Sequence, residues 1–295
     1  MPVFPITFTI HSSKITEYVP EKTKLLSDII PGNPYSFDNE EDYYNEYKQS
    51  IFAITCKKSG WDCMRHYEIL ACGCIPIFMN LKECPPSIMT HFPKHLISRT
   101  EELFTEIKDL PLEQASSKTR QLTEELIMYT QTHLTNNNMV EYILDKSGFS
   151  KNDIRSVLLL SGCTKPDYMR CEILTGLKEM FRSECHDYPK VQHLYADYDI
   201  NDKSLYGKGF SYSRLLHPSL RNNLYDISII DDIRKHRYDI VIYGSFHRGT
   251  PFFDLVNTFY KPNEIIFICG EDTHNCHYRN ILKMSPHYNI FVREL

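Results

Sequence analysis

The chain of 295 residues carries a formal net charge of −5 and contains 42% hydrophobic and 13% aromatic residues. At about 100–200 residues per domain this length predicts two domains, and the apolar content is sufficient for two hydrophobic cores. No basic block interleaves with aromatic residues, and no apolar run approaches the ~18 residues of a membrane span, which argues against a nucleic-acid-binding protein and against a transmembrane protein.

The N-terminal residues and the cysteines indicate the compartment. The stretch MPVFPITFTI contains two prolines and no basic residue, so it lacks the pattern of a secretory signal peptide. Ten cysteines in such a chain are typical of reduced thiols, several of them buried as small hydrophobic side chains. We therefore expect an intracellular, cytoplasmic protein.

The first half of the chain predicts a strand–loop–helix–strand unit flanked by helices. Three consecutive asparagines interrupt the longest helical pattern, and a glycine-containing segment after the last helix is the expected linker between domains. The predicted elements are a helix at residues 38–47, a strand at 51–55, helices at 101–108 and 114–133, a break at 136–138, a helix to about 146 and a linker at 148–153.

The segment GWDCMRHYEILACGCIPIF, which begins at residue 60, is the most informative part of the chain. Two lysines and a serine precede it at the mouth of a predicted helix, where cationic side chains and free backbone N–H groups can bind phosphate. Arg65 and Glu68 are three residues apart and share one face of that helix. A cation and a carboxylate together suit a nucleotide sugar, because the cation binds the diphosphate and the carboxylate binds sugar or ribose hydroxyls.

This segment resembles the donor-binding motif of GT-B glycosyltransferases, most closely the exostosin-like group. In that group an Arg-x-x-Glu helix followed by Ala-x-Gly-Cys-Ile-Pro lines the nucleotide-sugar pocket, and the match here extends from Arg65 to Pro76. The alternative is an ordinary Rossmann-type helix with an Arg–Glu surface pair. The resemblance implies a donor nucleotide-sugar-binding, Rossmann-like domain at residues 1–150. Its donor-binding residues would be Lys58, Ser59, Gly60, Asp62, Arg65, His66 and Glu68.

Three residues in this segment have a structural interpretation as well as a functional one. Asp62 is the predicted N-cap of the helix. Trp61 is the single tryptophan of the sequence, and it either stacks on a base or packs in the core. His66 either points at the sugar or packs in the core, and the sequence does not decide between the two.

The second half predicts repeated β-α-β units, which form a parallel sheet covered on both faces. It resembles, more weakly, the acceptor-facing domain of GT-B enzymes through the segments YDIVIYGS and FICGED. The expected fold class is therefore α/β with two Rossmann-like domains of GT-B type, the second being an acceptor-side domain at residues 151–295. The predicted strands are residues 156–160, 191–196, 239–243, 264–268 and 289–292, with helices at 170–182 and 252–260 and a loop region at 199–225.

The order of the two halves departs from the family, because GT-B enzymes normally place the acceptor domain first. Residues 291–295 also read as if they continued into residues 3–9. We interpret the chain as a circularly permuted GT-B arrangement, and the alternative is a piece cut from a longer tandem array. Permutation is tolerated where the original termini lie close together on the surface.

Polar residues follow two predicted strands of the second half, and ligand residues cluster beyond the carboxyl ends of strands in open α/β sheets. His247 is a candidate general base for an acceptor hydroxyl, and the neighbouring Arg248 is a candidate contact for phosphate or acceptor. Glu271, Asp272 and His274 follow the next strand, where a carboxylate can orient a sugar or act as a base. The catalytic candidates are His247 and Asp272. The structural alternatives are a solvated loop histidine and an Asx-type cap.

No metal and no cofactor is expected. The spacing C-x4-H-x-C-H that begins at Cys269 is not a standard zinc-finger spacing. The GT-B resemblance implies that protein cations and helix dipoles, rather than a metal ion, stabilise the leaving diphosphate.

The resemblance implies a hexosyl- or pentosyltransferase that inverts the anomeric centre by single displacement. A base takes the hydroxyl proton, the oxygen attacks C1, and the nucleoside diphosphate leaves against Lys58 and Arg65. The expected partners are a nucleotide sugar and a glycan or glycoprotein acceptor. The rival expectation is a non-catalytic carbohydrate- or nucleotide-sugar-binding module of a larger glycan-building protein.

Overall fold

A computed structural model describes residues 3–33, 37–199, 204–272 and 276–295. The strands and helices in these ranges alternate along most of the chain. The strands are β1 (Val3–Pro5), β2 (Lys24–Leu26), β3 (Ser50–Cys56), β4 (Ile75–Met79), β5 (Val157–Leu160), β6 (Cys185–Tyr188), β7 (Ile240–Tyr243), β8 (Ile265–Cys269) and β9 (Asn289–Val292). The α-helices are α1 (Glu40–Gln49), α2 (Met64–Ala71), α3 (Lys94–Ile97), α4 (Thr100–Ile107), α5 (Leu112–His133), α6 (Asn136–Lys146), α7 (Tyr168–Phe181), α8 (Tyr225–Arg234), α9 (Phe253–Phe259) and α10 (Tyr278–Met284).

The chain divides into two compact units. The small unit is Thr7–Thr135, and the large unit combines Met1–Ile6 with Asn136–Leu295. The expected division at residue 150 assigned β1 and α6 to the first domain, whereas in the structure both belong to the large unit. Strand β1 pairs with β9, and α6 packs on α7, which explains this assignment.

The small unit is built on a parallel sheet in the order β2-β3-β4. Strand β3 is central and almost fully buried, as expected from its apolar sequence SIFAITC. Helices α1, α2 and α5 pack against this sheet, and α3 and α4 pack beside β4. Every residue of α2 is buried, so this helix lies inside the unit.

The large unit contains a six-stranded parallel sheet in the order β1-β9-β8-β7-β5-β6. Counted from β5, the five consecutive strands follow the order 2-1-3-4-5, which is a common doubly wound order. From β5 the chain continues to β6, which lies on one side of β5, and then to β7, which lies on the other side of β5. The strand order therefore reverses between β5 and β7, and loops at the carboxyl ends of such a pair form the usual ligand crevice.

Both faces of the large sheet are covered. Helices α8 and α9 pack on one face, over a hydrophobic cluster that includes Leu158, Val241 and Phe267. Residues of α10 also pack against this cluster. Helix α7 contacts β5 and β6, and Tyr142 of α6 makes an edge-on ring contact with Phe291 of β9. The strands VLLL, IVIY and IIFIC are completely buried, as is typical of parallel strands covered on both sides.

The structure corrects the second-half prediction at residues 191–196 and at the C-terminal segment, and it adds the helices α8 and α10. Residues 191–196 are not a strand, because Gln192–Leu194 form a 3-10 turn, and the edge strand is β6 instead. The C-terminal segment does not continue directly into the N-terminal one. It forms β9, and β1 lies beside it as a parallel neighbour, with Val3 opposite Ile290.

None of the helices in the described ranges combines the length and the apolar character needed to cross a membrane. All ten cysteines are free thiols.

Candidate functional site

The loop between β3 and α2 lies at the carboxyl end of the small unit's sheet. Lys57, Lys58 and Ser59 are exposed in this loop, and Gly60 is buried. The backbone N–H of Lys58 donates to the carbonyl oxygen of Gly60 at 3.0 Å. The ammonium group of Lys57 lies 5.0 Å from the centre of the Trp61 ring, a cation–π contact. Lys58 and Ser59 are therefore the predicted donor residues that a ligand can reach from solvent.

Asp62 anchors this loop in the interior of the small unit. One carboxylate oxygen accepts the backbone N–H of Phe8 at 2.7 Å, and the other accepts the hydroxyl of Tyr67 at 2.7 Å. The N-cap of α2 is Cys63, which makes no side-chain cap hydrogen bond. The prediction that Asp62 is the N-cap of the helix is wrong, because Cys63 occupies that position, and the Asp62 carboxylate accepts from the Phe8 backbone and the Tyr67 side chain.

His66 packs in the core. Its Nε2 lies 2.8 Å from the carbonyl oxygen of Trp61, and its Nδ1 lies 2.8 Å from the hydroxyl oxygen of Thr55. Since a carbonyl oxygen only accepts, Nε2 carries the proton and Nδ1 accepts from Thr55. The ring centre lies 4.5 Å from that of Phe78. Of the two interpretations of His66, the structure favours packing.

Arg65 and Glu68 are also buried, and they lie near Tyr43 and Tyr47 of α1. The hydroxyl of Tyr43 donates to Glu68 Oε2 at 2.6 Å. The pKa of Tyr47 is raised, first by burial and then by the Glu68 carboxylate, while the charge of Arg65 lowers it. The Arg-x-x-Glu pair therefore lies at the α1–α2 contact rather than on an exposed helix face.

A cavity of about 230 Å³ lies at the carboxyl end of β4. Cys56, the last residue of β3, is paired with Met79, the last residue of β4. The loop between β3 and α2 and the cavity therefore both lie at the carboxyl ends of the strands. The cavity is lined by Asn80, Ser98 and Glu101 among others. It is smaller than the roughly 300–1,000 Å³ of a typical ligand pocket.

The large unit brings two loops together where its strand order reverses. The loop after β5 contains Gly162, and the loop after β7 contains His247, Arg248 and Gly249. A Cβ atom added to Gly162 would lie 1.9 Å from the carbonyl oxygen of Arg248, so this close approach requires glycine. Gly249 has φ +122°, which also favours glycine. The backbones of the two loops are therefore in contact.

His247 lies between carboxylates contributed by two other loops. Its Nε2 is 3.9 Å from Asp167 Oδ2 and 3.7 Å from Glu271 Oε1. Its Nδ1 is 3.9 Å from the sulfur of Cys269. Asp167 also accepts a hydrogen bond from Nε of Arg248 at 2.8 Å. The predicted residues His247, Arg248 and Glu271 thus come together around Asp167, so that an imidazole lies beside two carboxylates and a guanidinium group.

Asp272 has a different environment. Its side chain is 60% exposed and pairs with the guanidinium group of Arg293, which is fully buried. Arg293 Nε and Nη2 also donate to the carbonyl oxygen of Gly270, at 3.1 and 3.0 Å. The predicted residue His274 lies outside the described residues.

The sequence prediction missed the loop at residues 161–167. Asp167 is the N-cap of α7, where its Oδ1 accepts the backbone N–H of Arg170 at 3.1 Å. Arg170 is fully buried, and its guanidinium group reaches Ser161 and the backbone of the same loop. A signal was present, because the pair Ser161-Gly162 directly follows an apolar strand and precedes a predicted helix, where ligand loops occur in doubly wound sheets.

Within the part of the chain that the structure describes, no three His, Cys, Asp or Glu side chains are arranged to hold a metal ion. A scan against protein-family models, a search of curated proteins and a search of solved structures gave no match to this chain.

Proposed function

We propose that this chain is a glycosyltransferase of permuted GT-B type that transfers a sugar from a nucleotide-sugar donor to a glycan hydroxyl, with inversion and without a metal ion. The observation that carries the proposal is the cluster around His247, whose ring lies within 4 Å of Asp167 and Glu271 at the reversal point of the large sheet. The donor-like segment supports it independently, because its exposed Lys58 and Ser59 precede the helix that bears the family-like Arg65 and Glu68.

In the proposed reaction His247 takes the proton of the acceptor hydroxyl, and the oxygen attacks C1 of the donor sugar. The bond from C1 to the diphosphate oxygen breaks, and the nucleoside diphosphate leaves with both bonding electrons. Asp167 and Glu271 stabilise the imidazolium that forms on His247. Lys58 balances charge on the leaving diphosphate, and the backbone N–H groups at the start of α2 add to this effect.

In the proposed reaction, Arg65 and Glu68 have an indirect, positioning role. Both are buried against α1, so their contacts fix the position of α2 and of the loop that precedes it. A rigid loop presents Lys58 and Ser59 in one geometry, and such preorganisation increases the effect of each binding group.

The second candidate is a binding module that holds a nucleotide sugar without turning it over. One observation favours it: Asp62, Arg65, His66 and Glu68 are all less than a tenth exposed and engaged inside the small unit. A loop with few exposed donor-binding groups fits weak recognition of a diphosphate better than the tight positioning that catalysis requires.

A binding and turnover assay on the purified chain tests the proposal. The chain is screened against a panel of nucleotide sugars by thermal unfolding, since a ligand at a hundredfold excess over its Kd stabilises a fold by about 2.7 kcal/mol. Release of nucleoside diphosphate is measured in parallel, with and without glycan acceptors. The matched variants are Lys58→Met and Lys108→Met, because both lysines are exposed and Lys108 lies away from the β3–α2 loop.

We expect stabilisation and diphosphate release by the wild-type chain and by Lys108→Met, and a weakened response by Lys58→Met. Stabilisation without any release in the presence of acceptors would favour the binding module. A chain that neither binds nor hydrolyses any member of the panel would contradict both functions.

A further inference from the structure

A cavity of about 520 Å³ lies at the carboxyl end of β9 in the large unit. Its volume falls within the roughly 300–1,000 Å³ of a typical ligand pocket, unlike that of the cavity beside β4. Val292, the last residue of β9, lines the cavity and is paired with Cys269, the last residue of β8. Ligands of open α/β sheets bind beyond the carboxyl ends of the strands, so the cavity has the position expected of a binding site.

Helix α10 forms one wall of this cavity. Arg279 and Lys283 are four residues apart, so they share a face of the helix, and both line the cavity together with Asn280. Ile281 and Leu282 of the same helix pack against the hydrophobic cluster of the large sheet. The helix is therefore held in place by its apolar residues, while its two cations are exposed beside the cavity.

Neither cation has a carboxylate partner in the described ranges. No carboxylate oxygen there lies within 4.0 Å of the Arg279 guanidinium group or of Lys283 Nζ. Glu294 also lines the cavity, but its carboxylate is buried and lies 3.3 Å from the guanidinium group of Arg293. His277, a further lining residue, adds a hydrogen-bond donor. The cavity therefore has an excess of positive charge.

The positions of the two cations do not stabilise α10. Arg279 is in the first turn, where the helix dipole disfavours a positive charge. Lys283 places a like charge four residues away, which destabilises a helix, and α10 contains no acidic residue. The Arg279 guanidinium group lies 6.0 Å from the centre of the Tyr278 ring, the outer limit of a cation–π contact. An anion bound between the two side chains relieves the repulsion, so a ligand explains this arrangement better than the fold does.

The lining residues specify a ligand with an anionic group and an organic body. A phosphate monoester carries about two negative charges at neutral pH and three terminal oxygens that accept hydrogen bonds. Arg279 has a planar fork that matches two such oxygens, and Lys283 supplies a point charge. A free phosphate ion is much smaller than the cavity. The apolar surfaces of Val292 and Leu295 and the amide of Asn280 suit the organic part of an ester.

We propose that this cavity binds a small phosphate monoester, with the phosphate held between Arg279 and Lys283. The inference does not rest on the proposed function, because the donor-like segment belongs to the small unit. The cavity lies at the same end of the large sheet as the His247 cluster. Cys269, which is paired with Val292, has its sulfur 3.9 Å from His247 Nδ1.

Protection of Lys283 from chemical labelling tests this site directly. The full chain is reductively methylated with and without each probe, and peptide mass spectrometry follows Lys283 and Lys261 separately. Lys261 is the internal reference, because it is exposed and precedes β8 at the amino end of the sheet. The probes are glucose 6-phosphate and phenyl phosphate, with glucose, phenol and inorganic phosphate as controls. We expect at least one monoester to slow the labelling of Lys283 severalfold and to leave that of Lys261 unchanged.

Titration calorimetry with the protecting monoester measures the contribution of each cation. Arg279→Met and Lys283→Met should each raise the Kd about tenfold, because each removes hydrogen bonds to a charged group. Lys261→Met is the matched control and should leave the Kd unchanged.

Four results would overturn the proposal. Lys283 is labelled at the same rate with and without either monoester, or the Kd is the same in Arg279→Met, Lys283→Met and the wild type. Inorganic phosphate protects Lys283 as well as the monoesters do, which would show that the cavity recognises no organic body. Binding is lost in Lys58→Met and kept in Arg279→Met, which would place the phosphate at the loop between β3 and α2.

Discussion

At the scale of single residues, His247 and Asp272 have different surroundings, although each follows a predicted strand of the second half. The Nε2 of His247 lies within 4 Å of two carboxylates, whereas Asp272 is mostly exposed and paired with Arg293. If the chain transfers sugars, we expect His247→Ala to lower kcat by about 10²–10⁴-fold with little change in donor affinity. Steady-state kinetics with varied donor and acceptor measure this effect.

Asp272→Asn should mainly change the acceptor KM. It weakens the contact to Arg293, but it leaves His247, the proposed proton acceptor, in place. His287→Ala is the matched control, since this histidine is exposed in the same unit, away from the loop of His247. If Asp272→Asn abolishes turnover while His247→Ala leaves it nearly intact, the two roles must be exchanged.

Glu68 is expected to affect the stability of the fold as well as any contact with the donor. Its carboxylate accepts a 2.6 Å hydrogen bond from Tyr43 in a buried position. A hydrogen bond to a charged acceptor contributes more than a neutral one, so Glu68→Gln should lower the free energy of unfolding by about 1–2 kcal/mol in urea titrations. Glu102→Gln is the control on an exposed ion pair and should change it by less than about 0.5 kcal/mol.

Tyr43→Phe separates the two effects of Glu68, because it removes the same hydrogen bond and leaves the carboxylate in place. A double-mutant cycle between the two residues should show a coupling energy of about 0.5–3 kcal/mol. If the two losses simply add, the hydrogen bond does not stabilise the α1–α2 contact.

The sequence predicted part of the candidate site for an identifiable reason. His247, Arg248 and Glu271 follow apolar strands directly, and strand ends can be recognised in a sequence. Asp167 was missed because a capping carboxylate looks the same whether or not it also contacts a histidine 80 residues away. The burial of Arg65 was missed because an Arg–Glu pair has the same spacing on an exposed and on a buried helix.

At the scale of secondary-structure elements, the contact between α6 and α7 depends on one glycine. A Cβ atom on Gly176 would lie 2.6 Å from the carbonyl oxygen of Asn136 and 2.9 Å from a methyl group of Val140. Overpacking of this kind costs about 1–3 kcal/mol, which exceeds the helix-propensity gain of about 1 kcal/mol. Gly176→Ala should therefore lower the free energy of unfolding, whereas Asp145→Ala on the exposed face of α6 should be near neutral.

Thermal and urea unfolding of both variants provide the measurement. A Gly176→Ala chain as stable as the wild type would mean that α6 shifts away from α7 without loss, and the close crossing would then not be a constraint on the fold.

Most elements were predicted because their apolar residues are periodic or continuous, as in β5, β7, β8 and the long helix α5. Strand β6 was not, since two of its four residues are His186 and Asp187. Each of these buried side chains has a partner that is distant in the sequence: the Tyr238 hydroxyl lies 2.8 Å from His186 Nδ1, and Lys178 Nζ lies 2.9 Å from Asp187 Oδ1. A sequence pattern cannot reveal such partners, and the more apolar run at residues 191–196 was predicted as the strand instead.

At the scale of the whole molecule, His186 makes the stability of the fold dependent on pH. The ring is 2% exposed and stacked on Tyr225 with centres 3.7 Å apart. Burial, reinforced by the positive charges of Arg237, Lys178 and Lys190, lowers the pKa of His186 to about 4. The unfolded chain therefore binds one more proton than the folded chain between about pH 4 and pH 6.5.

The stabilisation from neutral His186 is complete above about pH 6.5 and is lost as the pH falls toward 4, by up to about 3 kcal/mol. In His186→Phe, which keeps an aromatic ring against Tyr225, we expect the free energy of unfolding to fall less steeply between pH 6.5 and pH 4.5. Urea unfolding at several pH values measures the slope. Parallel curves for the two proteins would show that His186 does not titrate differently in the folded and unfolded chains.

The proposed permutation can be tested through the neighbouring strands β1 and β9. They run parallel, with Pro5 opposite Val292, so a connection from the C-terminus to the N-terminus must return along the strands. That return covers roughly 7–10 Å in addition to a turn at each end. We expect a chain rejoined through a linker of about eight residues and opened at Gly148 to fold, because Gly148 is exposed and a Cβ atom there would touch nothing within 4 Å.

Circular dichroism and thermal unfolding of the rejoined chain, compared with the original one, provide the measurement. Direct fusion of Leu295 to Met1 should be strongly destabilised, because the fused segment is too short for the return path. Opening the rejoined chain between Val241 and Ile242 is the control, and it should prevent folding because it cuts the central strand β7. If direct fusion folds as well as the linked chain, β1 is not held beside β9. If the linked chain opened at Gly148 fails to fold, the chain is not related to a GT-B arrangement by permutation.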